Sequence, residues 1–312
     1  ENYKLTEARY EAMNYRRCGC SGLLLPEISL GFWHNFGDSA DFQVNRDVMR
    51  FAFDNGITHF DLANNYGPPY GSAEIRFGEI FKKDFSAHRD EVIISTKAGH
   101  DMWAGPYGEW GSRKNLVASL DQSLKRMQLD YVDIFYSHRP DPLTPLEETM
   151  QTLVDVVRQG KALYVGISKY PVEMAAQAYS YLRRQHVPCL LYQGRYNVID
   201  REVENGVLDQ AAAEGAGFVA FSPLAQGLLT GKYSNGIPEN ARMGHSPFLN
   251  SEVLTPELLK TLREFDRQAA EEGLTPAQYA LRWILDHKQV TSVIIGASSV
   301  EQLRNNLGAL RR

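Results

Sequence analysis

Cysteine is scarce in this 312-residue chain, with Cys18, Cys20 and Cys189 as its full complement. Their number and spacing fit neither a disulfide framework nor a zinc site, so reduced thiols and no bound metal are expected. Long apolar runs are also missing. No stretch approaches the ~18–20 residues that a membrane-spanning helix needs, so no membrane partner is expected. The opening ENYKLTEARYEAMNYRR lacks the apolar core of a signal peptide, which suits a cytoplasmic protein. Runs of Lys and Arg are absent and the formal net charge is −5, so nucleic acid is not an expected partner. Internal repeats and low-complexity segments are absent as well. At 43% hydrophobic and 23% charged residues, the composition is that of an ordinary globular protein. The length suits either two domains or one α/β barrel spanning 1–312, and the latter is the reading taken here.

What is present is an alternation of short apolar runs with longer segments of helical period. After a hairpin in NYRRCGCSGLLLPEISL, strands are expected to end near Gly31, Asp61, Lys97, His138, Ser168, Gln193, Ser222 and Gly296. Leu116, Leu120, Leu124 and Met127 recur at helical spacing between them. So do Leu146, Met150, Leu153 and Val157, and again Val300, Leu303, Leu307 and Leu310. The strands EVIIST, YVDIFY and ALYVGI are almost continuously apolar, as in a parallel sheet covered on both faces. Eight such βα units predict a (β/α)8 barrel with an N-terminal β-hairpin. An open doubly wound sheet would carry G-x-G-x-x-G after its first strand, and LGFWHNFGDS lacks it. The irregular stretch from about Gly227 to Leu254 falls between strands seven and eight, where a long loop is usually functional or mobile.

In such a barrel the chemistry sits where the strands end. Strands two, three and four stop on Asp61, Lys97 and His138, and Tyr66 follows within the turn-rich NNYGPPYG. One ionisable strand end is ordinarily a solvated boundary, and a Lys–Asp pair can be purely structural. Three in register on adjacent strands ~4.8 Å apart, with a tyrosine beside them, point instead to a site. A phenol of ordinary pKa ~10 is a weak acid at neutral pH, and a neighbouring ammonium makes it stronger. A carboxylate would hold that ammonium, and a histidine would add a second donor toward a substrate oxygen. Together they can polarise a carbonyl and protonate it, but none of them can donate hydride, so a cofactor is required. A Schiff-base aldolase on Lys97 is disfavoured, because Asp61 would raise the lysine pKa that such chemistry needs depressed.

These motifs resemble the aldo-keto reductases along nearly the whole chain: the hairpin, ITHFDLANNYG, STK, DIFYSH and VIIGASSVEQLRNNL. GPPYGSAE, STKAGHDMW, PYGEWGSRK and SPLAQGLLTGKY are similar to the branch of bacterial L-glyceraldehyde 3-phosphate reductases. The β subunits of voltage-gated potassium channels form a second similar branch. The resemblance implies that Asp61, Tyr66, Lys97 and His138 form a catalytic tetrad, with Tyr66 as general acid. It implies NADP(H) as cofactor and small aldehydes, such as glyceraldehyde 3-phosphate or methylglyoxal, as substrates. Ser168 and Gln193 would then meet the nicotinamide carboxamide, and Phe221 would stack on its ring. Ser222, Pro223, Leu224, Ala225, Gln226 and Gly227 would line the pyrophosphate. Lys232 and Arg242 would approach the 2′-phosphate, with Gly296, Ala297, Ser298, Gln302, Asn305 and Asn306 around the adenosine. Phe32, Trp33 and Lys169 complete the expected cofactor contacts. Trp33, His34, Trp103 and Arg139, with Tyr66 and His138, are expected at the substrate, and Trp110 lies in a loop of the same face.

Many relatives carry Lys and Arg at the positions of Ala297 and Gln302, so a preference for NADPH over NADH rests on Lys232, Arg242 and Ser298. Relatives in the channel branch commonly have Asn at His138, which keeps a slow, redox-sensing subunit as the alternative function. Relatives generally continue with a helix beyond the position of Leu310, and the run ARMGHSPFLNSEV is shorter than expected. An assembly of a tetramer or larger is a further implication of the resemblance.

Overall fold

The computed structural model describes residues 3–236 and 251–311. A two-stranded antiparallel hairpin, β1 (Tyr15–Arg17) and β2 (Leu24–Pro26), precedes the barrel. It packs against the starts of later strands. The buried Cys18 thiol lies 3.6 Å from the Leu190 carbonyl, and the Cys20 N–H donates to Gly215 O at 2.9 Å. The hairpin therefore covers the end of the barrel opposite the strand termini that carry the ionisable residues.

The chain then alternates strand and helix: β3 (Ile28–Gly31), α1 (Phe42–Asp54), β4 (His59–Asp61), α2 (Ser72–Asp84) and β5 (Ile93–Ala98). It continues with α3 (Arg113–Met127), β6 (Val132–Ser137), α4 (Leu146–Arg158), β7 (Ala162–Ser168), α5 (Val172–Arg184) and β8 (Cys189–Arg195). The last third holds α6 (Val207–Ala213), β9 (Gly217–Phe221), α7 (Pro256–Glu271), α8 (Pro276–Leu285), β10 (Ser292–Ile295) and α9 (Val300–Leu307). Strands β3 to β10 are all parallel and close on themselves, with β10 paired to both β3 and β9. This is the expected eight-stranded barrel, and every strand ends within two residues of its expected position.

Helix positions follow from the apolar periods. Leu116, Leu120, Leu124 and Met127 are all buried on α3, and Ser112 caps its start by accepting from Asn115 N–H. Among the described residues, the connection from β9 to β10 holds two α-helices, and Thr255 and Thr275 cap them, each followed by a proline at the first turn. Between α7, α8 and the turn after β9 lies a separate apolar cluster that includes Leu228, Leu229, Tyr233, Leu262 and Phe265. This cluster anchors the segment that follows β9, which forms part of the cavity described below.

The barrel also shows why charged residues on neighbouring strands can converge. Asp61 pairs with Ser95 rather than with Lys97, and Lys97 pairs with Tyr136 rather than with His138. The expected in-register row is thus a staircase that climbs two residues per strand. Tilted strands in a closed barrel impose such a stagger, and an even step keeps every side chain on the inner face.

Candidate active site

Asp61 and Lys97 are buried inside the barrel mouth, at 1% and 0% exposure. Lys97 Nζ donates to Asp61 Oδ2 at 2.7 Å, to the Leu62 carbonyl at 2.6 Å and to the Tyr66 hydroxyl oxygen at 3.2 Å. All three ammonium protons are thereby directed. The phenol oxygen accepts from Lys97, which leaves its own proton available to a partner in the cavity. Asp61 Oδ1 accepts from Ser95 Oγ at 2.6 Å and from Gln193 Nε2 at 3.2 Å.

The turn that carries Tyr66 is tightly specified. Tyr66 N–H donates to Ala63 O and Ala73 N–H donates to Tyr66 O, both at 3.2 Å. Gly67 has no room for a side chain, since an added Cβ would lie 1.9 Å from the Pro69 carbonyl oxygen. His138 follows β6 directly, held by its N–H to Ala98 O at 2.9 Å. Its ring meets Tyr66 edge-on at 6.2 Å and His100 at 4.4 Å.

Burial governs the protonation states. It pushes the Tyr66 phenol above its ordinary value, and the Lys97 ammonium only partly opposes this. The ammonium alone would make the phenol more acidic, but in the folded site desolvation is the larger effect. Burial would depress Lys97, but Asp61 and then Tyr66 outweigh it, so the ammonium is held above its ordinary value. A lysine so held is no Schiff-base nucleophile. His138 is driven well below the usual imidazole range by burial, with Lys97 and His100 adding to the effect. It is a neutral imidazole with one N–H to donate.

These groups open onto a cavity of about 750 Å³. Of the residues expected at the cofactor, Phe32, Trp33, Asp61, Ser168, Lys169, Gln193, Phe221, Ser222, Pro223, Leu224, Gln226, Gly227, Lys232, Gly296 and Gln302 line it. Ser222, Ala225 and Gln226 take left-handed backbone conformations, and Gly227 reaches φ 99°. Such strain marks a loop shaped for a ligand. Asn197 supports this loop by donating from Nδ2 to Ser222 O at 2.9 Å. Ala225, Ala297, Ser298, Asn305 and Asn306, also expected at the cofactor, are not among the lining residues. Ser298 donates through both N–H and Oγ to Gln302 Oε1, and Asn305 O accepts from Gln278 Nε2 at 2.6 Å. Helix α9 starts at Val300 with Ser299 as its cap. Arg242 and most of the ARMGHSPFLNSEV run lie outside the described residues.

Of the residues expected at the substrate, Trp33, His34, Tyr66 and His138 line the cavity. Trp103 and Arg139 do not. Arg139 donates to Glu109 at 2.5 Å and to Gly99 O at 3.1 Å, and stacks 3.9 Å over Trp110. These contacts tie the Arg139 side chain to the loop after β5 and away from the opening. The sequence reading missed His100, Asn35, Asn65, Arg195, Thr230 and Tyr233, all of which line the cavity. His100 alone had a legible signal, since it stands three residues past Lys97 at the same strand end.

A closed parallel barrel with a buried Asp–Lys pair, a tyrosine and a neutral histidine at its C-terminal mouth is suited to carbonyl–alcohol redox chemistry. A profile of the Aldo/keto reductase family matches residues 27–312, and the chain belongs to that family. It is an oxidoreductase of the aldo-keto reductase kind. More particularly, it is 55% identical over 307 residues to the L-glyceraldehyde 3-phosphate reductase of Escherichia coli strain K12. That match covers 97% of this chain and 89% of the relative, and the corresponding reductase of strain O157:H7 matches equally.

Proposed function

We propose that this enzyme reduces small aldehydes to alcohols with NADPH, and that Tyr66 is the proton donor. The observation that carries the reading is the arrangement of Lys97 between Asp61 and Tyr66, with the phenol proton left over for the cavity. The cavity also fits a nicotinamide cofactor. Among the described residues, the buried Ser168 Oγ and His138 Nδ1, both on residues that line the cavity, have no protein partner, and buried polar atoms of this kind ordinarily have one.

When bound, the cofactor supplies the hydride that carbonyl reduction needs. Ser168 and Gln193 would hold its carboxamide and Phe221 its ring. The strained segment from Ser222 to Gly227 would receive the pyrophosphate on its N–H groups. Lys232 and Arg242 would meet the 2′-phosphate, and Gln302 and Asn306 the adenosine. As negative charge develops on the substrate oxygen, Tyr66 gives up its proton to it. Lys97 stabilises the phenolate left behind, Asp61 keeps Lys97 charged, and the His138 N–H orients the substrate oxygen.

The Escherichia coli relatives are named for L-glyceraldehyde 3-phosphate, which supports that compound as a substrate here, with methylglyoxal a smaller candidate. The same resemblance supports a homo-oligomer of four or more copies, a cytoplasmic location and one domain over the whole chain. The test is a panel of aldehydes assayed with NADPH and with NADH under multiple-turnover conditions. A single slow oxidation of bound NADPH in stopped flow, with excess aldehyde and no further turnover, would favour a redox-sensing role over this one.

A further inference from the structure

Below Asp61, the barrel interior holds a line of polar side chains that the reduction chemistry leaves unexplained. Ser292, Ser29, His59 and Ser95 come from four neighbouring strands, β10, β3, β4 and β5, and none has any exposed surface. Ser292 Oγ and Ser29 Oγ are 2.6 Å apart, and Ser29 Oγ is 2.9 Å from His59 Nδ1. His59 Nε2 is 3.0 Å from Ser95 Oγ, which lies 2.6 Å from Asp61 Oδ1. Apolar residues would fill this space at no desolvation cost, so the line calls for a reason.

Valence sets the direction of every bond in it. The Asp61 carboxylate, paired with Lys97, only accepts, so Ser95 donates to it. With its one proton committed, Ser95 must accept from His59, which places a proton on Nε2. Burial first, and the Lys97 ammonium in addition, hold the His59 pKa down to about 4 against the opposing pull of Asp61. The ring is therefore neutral at physiological pH, and its bare Nδ1 accepts from Ser29, which accepts from Ser292. The line runs one way, from Ser292 to Asp61. It also excludes an alternative, because the Phe60 carbonyl lies 3.5 Å from Ser95 Oγ and competes for the same proton.

We propose that His59 is a positioning residue of the reduction site: as its neutral Nε2–H tautomer it aims the Ser95 hydroxyl at Asp61, and so fixes the carboxylate that holds Lys97 against Tyr66. This inference rests on the roles given to Tyr66 and Lys97 above. It also assigns a function to a histidine that reads in the sequence as part of an apolar strand.

The first test needs no turnover. In protein labelled with imidazole ¹⁵N, His59 should show one slowly exchanging proton on Nε2 and no titration near the ordinary ~6.5. A proton on Nδ1, or a titration in that range, overturns the inference. The second test compares His59→Phe, Ser95→Ala and the double variant in aldehyde reduction. Each single variant should lower kcat by ~10-fold, the worth of about one hydrogen bond. KM and NADPH affinity, read by fluorescence, should stay at the parental values. Because both variants break the same line, the double should be no worse than the worse single. His59→Gln, which retains an N–H donor, should recover part of the loss. Parental kcat in a folded His59→Phe, or full additivity in the double, overturns the inference. Absence of multiple turnover in the unmodified protein would instead remove the reductase reading and this role with it, and would be seen before any variant is made.

Discussion

The Tyr66 hydroxyl and the Lys97 ammonium meet at 3.2 Å, with the ammonium as donor. Tyr66→Phe removes the proposed proton donor and leaves the cavity wall in place, so reduction should fall by ~10²–10⁴-fold while NADPH still binds. A rate within about threefold of the parent at saturating NADPH would show that another group is the acid. Lys97→Met should also depress the rate. It leaves Asp61 buried beside only neutral donors, so unfolding should cost about 3–5 kcal/mol less, seen as a lowered denaturation midpoint. The two residues act as one unit, so the double variant should be little slower than the slower single.

The pH dependence follows from the same burial. With Tyr66 as the proposed acid, reduction would require the phenol protonated, and burial holds that phenol above its ordinary value. The imidazole of His138 is neutral throughout the physiological range. The profile of kcat/KM at saturating NADPH should therefore stay level from about pH 6 to 9 and fall only beyond the ordinary ~10 of a phenol. A falling limb centred near 6 or 7 would contradict both assignments.

Cofactor choice gives a third expectation. Lys232 lines the cavity near the segment after β9 and reaches solvent. Lys232→Ala should weaken NADPH binding by ~10-fold, about 1.4 kcal/mol, and leave NADH binding unchanged. Titration of the intrinsic fluorescence with each cofactor measures this, and equal losses for both would place the 2′-phosphate elsewhere.

Acid stability tests the frame around the site. Asp84, at the end of α2, accepts two pairs of hydrogen bonds from Arg46 and Arg50 of α1, at 2.8–3.0 Å. Burial alone would raise this carboxyl, but the two arginines hold it down at about 2. A depressed carboxyl contributes stability that is present above its unfolded value of ~3.9 and is lost as pH falls through the folded value. The parent should thus lose part of its unfolding free energy between pH ~4 and ~2, and Asp84→Asn should lack that component. At neutral pH the variant should be about 2 kcal/mol less stable, below the range for a fully buried pair because both guanidinium groups reach solvent. Identical acid titrations of stability for the two proteins would refute the assignment.

Much of this was legible from residue order. Asp61, Lys97 and His138 each end an apolar run, and the strands do end within one residue of them. The stagger between them was not, because the tilt of a closed barrel depends on all eight strands together. Arg139 reads equally as a contact for an anionic substrate or as half of a structural ion pair; its partner Glu109 lies thirty residues away in sequence and only folding brings it near. His59 was hidden for a related reason. Its hydrogen-bond partners, Ser29 and Ser95, lie 30 and 36 residues away on the two flanking strands, and nothing local distinguishes it from an ordinary interior residue.

The side chains gathered at Tyr66 come from β4, β5 and β6, whereas the long wall of the cavity comes mainly from β7 onward. Gln193 is the seam, since it faces the cavity and also donates to Asp61. On the proposed function, the proton-donating group and most of the cofactor wall are thus encoded in separate stretches of one gene, with Phe32 and Trp33 as exceptions. Substitutions after residue 168 would then retune which cofactor is held while the proposed proton donor stays intact, so descendants of such a barrel could diverge in one property without losing the other. Gln193 is the position where that independence ends, and a change there would be felt on both sides.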